Sequence, residues 1–180
     1  RLKAKIEYPA SFMLVAASNP CPCGYYGVGE RCTCTPGQRQ AYLSKLSGPI
    51  LDRIDIQLLT TPVEASALLR GQKAEPSEAI AERVLRAREV QRERFSGTGL
   101  FANAEMGTRE LERFCPLSEE CKQLLERIIE RMGLSARAYT RIVKIARTIA
   151  DLAHERDILP VHLAEAASYR ILDRRNILDL

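Results

Sequence analysis

Leu134-Ser-Ala-Arg-Ala-Tyr-Thr-Arg-Ile-Val-Lys-Ile-Ala-Arg-Thr-Ile-Ala-Asp-Leu152 is the most informative stretch of this 180-residue sequence. Ser135 is a good N-cap, because its hydroxyl can accept from the unpaired N–H groups of a first helical turn. Gly133 is a fitting stop for a preceding helix. At about 100° per residue, Tyr139, Ile142, Val143, Ala146, Ile149, Ala150 and Ala153 share one face of a helix over 135–154. Arg137, Arg141 and Lys144 fall on the opposite face, with Arg147 at its flank. No acid interrupts residues 136–150. Periodicity alone reads this stripe as a solvated basic face. Surface helices usually intersperse acids and bases for i,i+4 pairing, however, so a single-sign stripe also suits a polyanion, either nucleotide phosphate or nucleic acid.

Outward from this helix the pattern stays helical on both sides. A charged amphipathic helix is expected over 78–95, with Ile80, Val84, Leu85 and Ala87 as its apolar positions. A glycine-bearing loop over 96–107 follows, then helices near 108–114, 118–132 and 160–170. The front of the chain differs. Residues 11–18 form a short apolar run bounded by Pro9 and Asn19-Pro20, the pattern of a strand buried on both faces within a parallel sheet. A loop rich in Gly, Pro and Cys spans 19–37. A short helix over 38–46 breaks at Gly48-Pro49, and residues 54–59 alternate as a second strand. The expected class is α/β followed by all-α: residues 1–62 the end of an α/β core, 63–76 a linker, and 77–180 a helical domain.

Composition sets outer bounds. Apolar residues make 46% of the chain and charged residues 28%, an ordinary globular balance. The net charge of +4 is compatible with nucleic acid but too small to argue for it. No apolar run approaches the roughly 20 residues of a membrane helix. Arg1-Leu2-Lys3 runs straight towards the first strand without a signal peptide, so the reading is of a segment of a longer cytoplasmic protein.

Three features carry chemistry. Asn19 follows the first strand directly, where open α/β sheets bind ligands; taken alone it reads rather as a turn former before Pro20. Arg53, in Leu-Asp-Arg-Ile-Asp, could neutralise charge on a transferring phosphoryl group, or simply pair with Asp52 or Asp55. Cys21, Cys23, Cys32 and Cys34 make a C-x-C…C-x-C pattern. Four thiolates satisfy tetrahedral zinc in type and number, although C-x-x-C is the usual chelating turn, and free thiols or a redox-labile pair are the alternatives. A zinc held this way would be structural, since four cysteines leave no open position. Cys115 and Cys121 sit apart in helical surroundings. The phosphate cradle G-x-x-x-x-G-K-[ST] is absent from these residues.

Phe12-Met-Leu-Val-Ala-Ala-Ser-Asn-Pro-Cys-Pro-Cys-Gly-Tyr-Tyr-Gly27, Leu46-Ser-Gly-Pro-Ile-Leu-Asp-Arg-Ile-Asp55 and the stretch 134–152, in this order, resemble the magnesium chelatase-like AAA+ proteins, and within them the competence-protein (ComM/YifB) branch. The resemblance runs to Tyr169-Arg-Ile-Leu-Asp-Arg174. It implies an α/β AAA+ core joined to a helical lid, with ATP and Mg²⁺ used by the full-length protein. It implies that Asn19 is the sensor-1 residue, Arg53 an arginine finger acting in trans and Arg137 the sensor-2 residue; the single-sign stripe of the helix adds Arg141 and Lys144 as candidate phosphate or DNA contacts. The intact protein would be a ring, hexameric, translocating DNA during natural transformation. A metal-chelatase motor subunit and a non-enzymatic zinc-containing nucleic-acid binder are the rival readings. Because Walker A and Walker B lie outside these residues, the 180-residue segment alone should release no phosphate from ATP. Measurable turnover by the purified segment would contradict this assignment.

Overall fold

In the computed structural model, residues 12–46, 48–60, 63 and 74–170 are described. The expected linker and the residues beyond 170 fall largely outside them. The chain divides into two compact units, Arg1–Lys45 and Leu46–Leu180.

In the first unit, residues 12–19 have no regular secondary structure, and Phe12, Met13, Leu14 and Val15 are exposed. The strand expected over 11–18 does not form among the described residues, and the reason is physical. A strand is a pairing, and no described residue offers this run a ladder of N–H and C=O groups. A 3-10 turn follows at Gly29–Arg31, then helix α1 (Pro36–Leu43). Helix α1 begins with a capping box: Thr35 Oγ1 accepts from the Gln38 amide (3.3 Å), and Gln38 Oε1 accepts from the Thr35 amide (2.9 Å). Arg39 donates to the Cys34 carbonyl (3.1 Å) and stacks over the Tyr26 ring (4.5 Å), binding the helix to the loop before it.

The second unit is helical: α2 (Gly48–Arg53), α3 (Ser77–Arg94), α4 (Thr108–Phe114), α5 (Glu119–Met132), α6 (Ala136–Leu152) and α7 (Pro160–Ser168), with a 3-10 turn at Asn103–Glu105. These match the helices read from periodicity to within a few residues, except that Gly48-Pro49 opens a helix where a break was expected. Pro is well suited to a first turn, where its missing N–H has no partner to lose. The second expected strand, 54–59, is reduced to one parallel bridge between Gln57 and Arg170. Gly133, in the left-handed conformation (φ 62°), ends α5, and Ser135 accepts from the Ala138 amide (3.2 Å) to begin α6.

The core of this unit gathers Phe95, Met106, Leu111, Cys115, Cys121, Leu125, Ile142, Val143, Ala146, Ile158, Leu163 and Ala166. Phe95 and Phe114 meet edge to face at 5.4 Å. Cys115 and Cys121 are core residues: Cys121 donates to the Ile158 carbonyl (3.3 Å), and burial pushes the Cys115 thiol up to about 11.

The inward face of α6 is rotated from the periodic expectation. Arg147 and Asp151 are buried on it, while Tyr139 and Ala153 are exposed. Asp151 makes this tolerable. Its carboxylate accepts from both guanidinium nitrogens of Arg94, from Arg147 Nε (3.1 Å), from Asn103 Nδ2 (2.8 Å) and from Gln91 Nε2 (3.4 Å). Arg147 spends its other donors on the carbonyls of Glu155 (2.7 Å) and Arg156 (2.8 Å). Replacing Asp151 by Asn should therefore lower the stability of the helical unit by about 3–5 kcal/mol, since two buried or half-buried guanidinium groups lose their counter-charge. Denaturant unfolding followed by circular dichroism checks this, and a change under about 1 kcal/mol would contradict the assigned role.

Candidate functional site

Arg53 closes helix α2 with its side chain exposed. Its Nη1 donates to the Pro49 carbonyl (2.7 Å), a contact within its own turn. Neither neighbouring acid pairs with it. Asp52 Oδ1 instead accepts from Ser135 Oγ (3.3 Å) and lies 3.6 Å from Arg170 Nη2. Asp55 Oδ1 lies 3.2 Å from Arg141 Nη1, an ion pair rather than a well-angled hydrogen bond. The acids that could have neutralised Arg53 are committed to other cations.

Arg170 fastens this turn. It is fully buried, and its Nη1 donates to the Ile54 carbonyl (2.6 Å), while the Gln57 amide donates to the Tyr169 carbonyl (2.8 Å). Gln57 Nε2 reaches back to the Leu51 carbonyl (3.1 Å). The turn that carries Arg53 is thus tied to the end of α7 and, through Asp52, to the N-cap of α6. Arg137 projects from the first turn of α6, exposed, and its guanidinium has no partner among the described residues.

The basic stripe of α6 does not remain a free stripe. Arg141 is paired with Asp55, and Lys144 Nζ donates to the Ala104 carbonyl (2.8 Å), where burial lowers its pKa below the usual lysine value. Arg147 lies in the core. Acids absent from the helix's exposed face are delivered by α2's neighbour Asp55, and Arg147 takes Asp151 from its own helix. Sequence reasoning missed Arg170, Asp52 and Asp151 as organising residues. The available signal was their charge in otherwise apolar surroundings, and only contacts distant in sequence reveal their partners.

In the first unit, Asn19 is exposed beside the cysteine loop. A Cβ placed on Gly24 would lie 3.8 Å from its Cγ and Nδ2, so the Asn19 side chain rests over the Gly24 turn. Gly24 holds φ +82°, a left-handed conformation that glycine adopts without strain. Cys21, Cys23, Cys32 and Cys34 converge, their sulfurs all within 4.8 Å of one another. A backbone N–H at Tyr25 stabilises the Cys23 thiolate and brings its pKa down to about 6. This donor set fits a thiophilic cation in number, type and spacing.

Comparisons place the chain among known proteins. The sequence model for "Magnesium chelatase, subunit ChlI C-terminal" matches residues 74–170, more than half of the chain, and that for "Magnesium chelatase, subunit ChlI" matches residues 1–68. The chain belongs to the magnesium chelatase family. It is 43% identical to the competence protein ComM of Haemophilus influenzae over 97% of its own length and 33% of that protein's. It is also 43% identical to the YifB protein of Escherichia coli (97% of this chain, 34% of that one) and 42% identical to YifB of Salmonella typhimurium (97% and 34%). It therefore spans about a third of the length of these relatives. No helix among the described residues is long and apolar enough to cross a membrane.

The two ion pairs around Arg53 should differ sharply in weight. Arg170→Ala removes a buried cation from Asp52 and from the Ile54 carbonyl, and should destabilise the helical unit by about 3–5 kcal/mol. Asp55→Ala removes an exposed partner and should change stability by less than about 1 kcal/mol. Thermal unfolding of both variants checks the contrast, and equal effects would show that Arg170 does not anchor the turn.

Proposed function

We propose that this chain is the C-terminal part of the AAA+ core, with its helical lid, of a ring-forming, hexameric, ATP-driven DNA translocase that migrates branches during natural transformation and recombination. The observation that carries this reading is the solvent-facing Arg53, which takes no carboxylate among the described residues although acids flank it at 52 and 55. An arginine with only a structural role would be expected to take the neighbouring acids. One reserved for a phosphoryl group on an adjacent subunit needs to stay unpaired and rigidly mounted. The name of the Haemophilus relative supports the competence role.

In this reading residues 11–18 and 54–59 become strands of a parallel sheet once the rest of the core pairs with them, which accounts for the exposed apolar side chains at 12–15. ATP with Mg²⁺ supplies the phosphoryl group. Arg53 reaches across a subunit boundary and neutralises charge that builds during transfer. Asn19 orients the attacking water by its amide, and Arg137 holds phosphate from the lid. None of these residues forms a covalent bond with substrate; they contribute by position and preorganised charge. Arg141 and Lys144, paired within the chain, keep the lid surface in register.

The deciding experiment is ATP hydrolysis by the full-length protein, wild type against Arg53→Ala, with and without branched DNA. A finger acting in trans predicts that the DNA-stimulated rate falls by about 10³-fold or more. It also predicts partial rescue on mixing with subunits that lack a working nucleotide site but keep Arg53. An unchanged rate overturns the finger assignment. Stimulation by a chelatase partner and not by DNA would assign the motor to metal insertion instead.

A further inference from the structure

The first unit offers little to hold it together. Among its described residues only Cys21 is buried, and apart from the cysteines its segments are joined by the contacts of Arg39 with Cys34 and Tyr26 and by a Ser18–Tyr42 hydroxyl contact (3.4 Å). Whatever covers residues 12–15 in the full-length protein, apolar packing among the described residues does not lock the two arms of the cysteine loop to each other, and a cross-link would do so. The four cysteines stand where one would act.

We propose that Cys21, Cys23, Cys32 and Cys34 bind one Zn²⁺ as a structural tetrathiolate, and that this ion fixes the turn over which Asn19 rests. The sulfur positions carry the argument. Cys21 and Cys23 lie 3.3 Å apart, Cys21 and Cys32 3.8 Å, and Cys23 and Cys32 3.7 Å. A tetrahedral zinc with Zn–S bonds of about 2.3 Å places its sulfurs about 3.8 Å apart. A disulfide would need about 2.05 Å, and none of the cysteines is so paired. The sulfurs also lie too close together to enclose an iron–sulfur cluster. With four protein ligands there is no open coordination position, so the ion would be structural rather than catalytic.

The backbone explains how C-x-C turns can chelate here. The Gly24 amide donates to the Cys21 carbonyl (3.0 Å), and the left-handed Gly24 and Gly27 (φ +84°) fold the chain back after Cys23. On the other side, Cys34 immediately precedes the Thr35 cap of α1, and Arg39 grips its carbonyl. The ion would join these two arms across the exposed loop that contains Arg31. Binding releases the thiol protons as the four sulfurs become thiolate ligands, and no oxidant or reductant is involved. Only the link to Asn19 as a catalytic group rests on the proposed ATPase reading.

The test uses the full-length protein. Elemental analysis should find one zinc per chain. Exchange with Co²⁺ should give the intense visible ligand-field bands of a tetrahedral tetrathiolate. Stripping zinc from the wild type should speed tryptic cleavage after Arg31, and Cys21→Ser with Cys32→Ser should abolish zinc retention. The cooperative melt of the helical unit, which contains none of these residues, reports whether the variant still folds. Iron in place of zinc, failure to take up Co²⁺, or full zinc retention in the double variant would each overturn the metal site. Unchanged cleavage at Arg31 after stripping would overturn the clamp. ATP turnover should fall on stripping and fall again little or not at all in Asn19→Ala. If the protein proves to have no ATPase activity, the metal and cleavage measurements still decide the site.

Discussion

Asp151 is the constraint on which the helical unit depends. A carboxylate with no solvent contact can remain only if its charge is met, and here the side chains of Arg94, Arg147, Asn103 and Gln91 meet it together. These donors come from α3, the 3-10 turn at Asn103–Glu105 and α6, so one anion fixes how three segments meet. The hydrophobic contacts around Ile142, Val143 and Leu163 favour compaction but do not choose a rotation of α6 about its axis. The buried charges do. A helix turned by one position would strand Asp151 or Arg147 without a partner.

Once α6 is fixed, so is its N-terminal end, and the chemistry at Ser135 follows. The N-cap hydroxyl shares Asp52 with Arg170, which fastens α2 and the bridge at Gln57 to the same helical body. The charges then sort themselves by partner. Arg141 and Arg170 consume the acids at 55 and 52, and Arg147 consumes Asp151. Arg53 and Arg137 face solvent and take no carboxylate among the described residues. In the proposed reading, such arginines would break no ion pair with a described residue before meeting a phosphate.

The cysteine loop solves a different problem. Its residues are Gly- and Pro-rich and gain little from burial, so local hydrogen bonds and the capping box of α1 shape the two arms without locking them to each other. Convergence of the four sulfurs offers a place for a cross-link where apolar packing among the described residues is sparse. Asn19, resting on the Gly24 turn, inherits its position from that loop.

Much of this was legible in the sequence. The helices over 77–94, 108–114, 119–132 and 136–152 follow from apolar period, Ser118 and Ser135 as caps and Gly133 as a stop, because those signals act within a few residues. The cysteine cluster was likewise visible as residue types at a spacing, whereas Asn19, Arg53 and Arg137 stood out only through the family resemblance. The strands over 11–18 and 54–59 were not realised among the described residues, since a strand needs a partner that local sequence cannot supply. The fate of the basic stripe on α6 was also hidden. Asp55 and Ala104, which neutralise or hold Arg141 and Lys144, lie tens of residues away. The sequence by itself determined the helices, their ends and the inventory of charged and thiol groups, because these depend on short-range geometry. Only the tertiary structure decided which arginines are spent on internal acids and which stay available, because a charge is neutralised by whatever folding brings within a few ångströms of it.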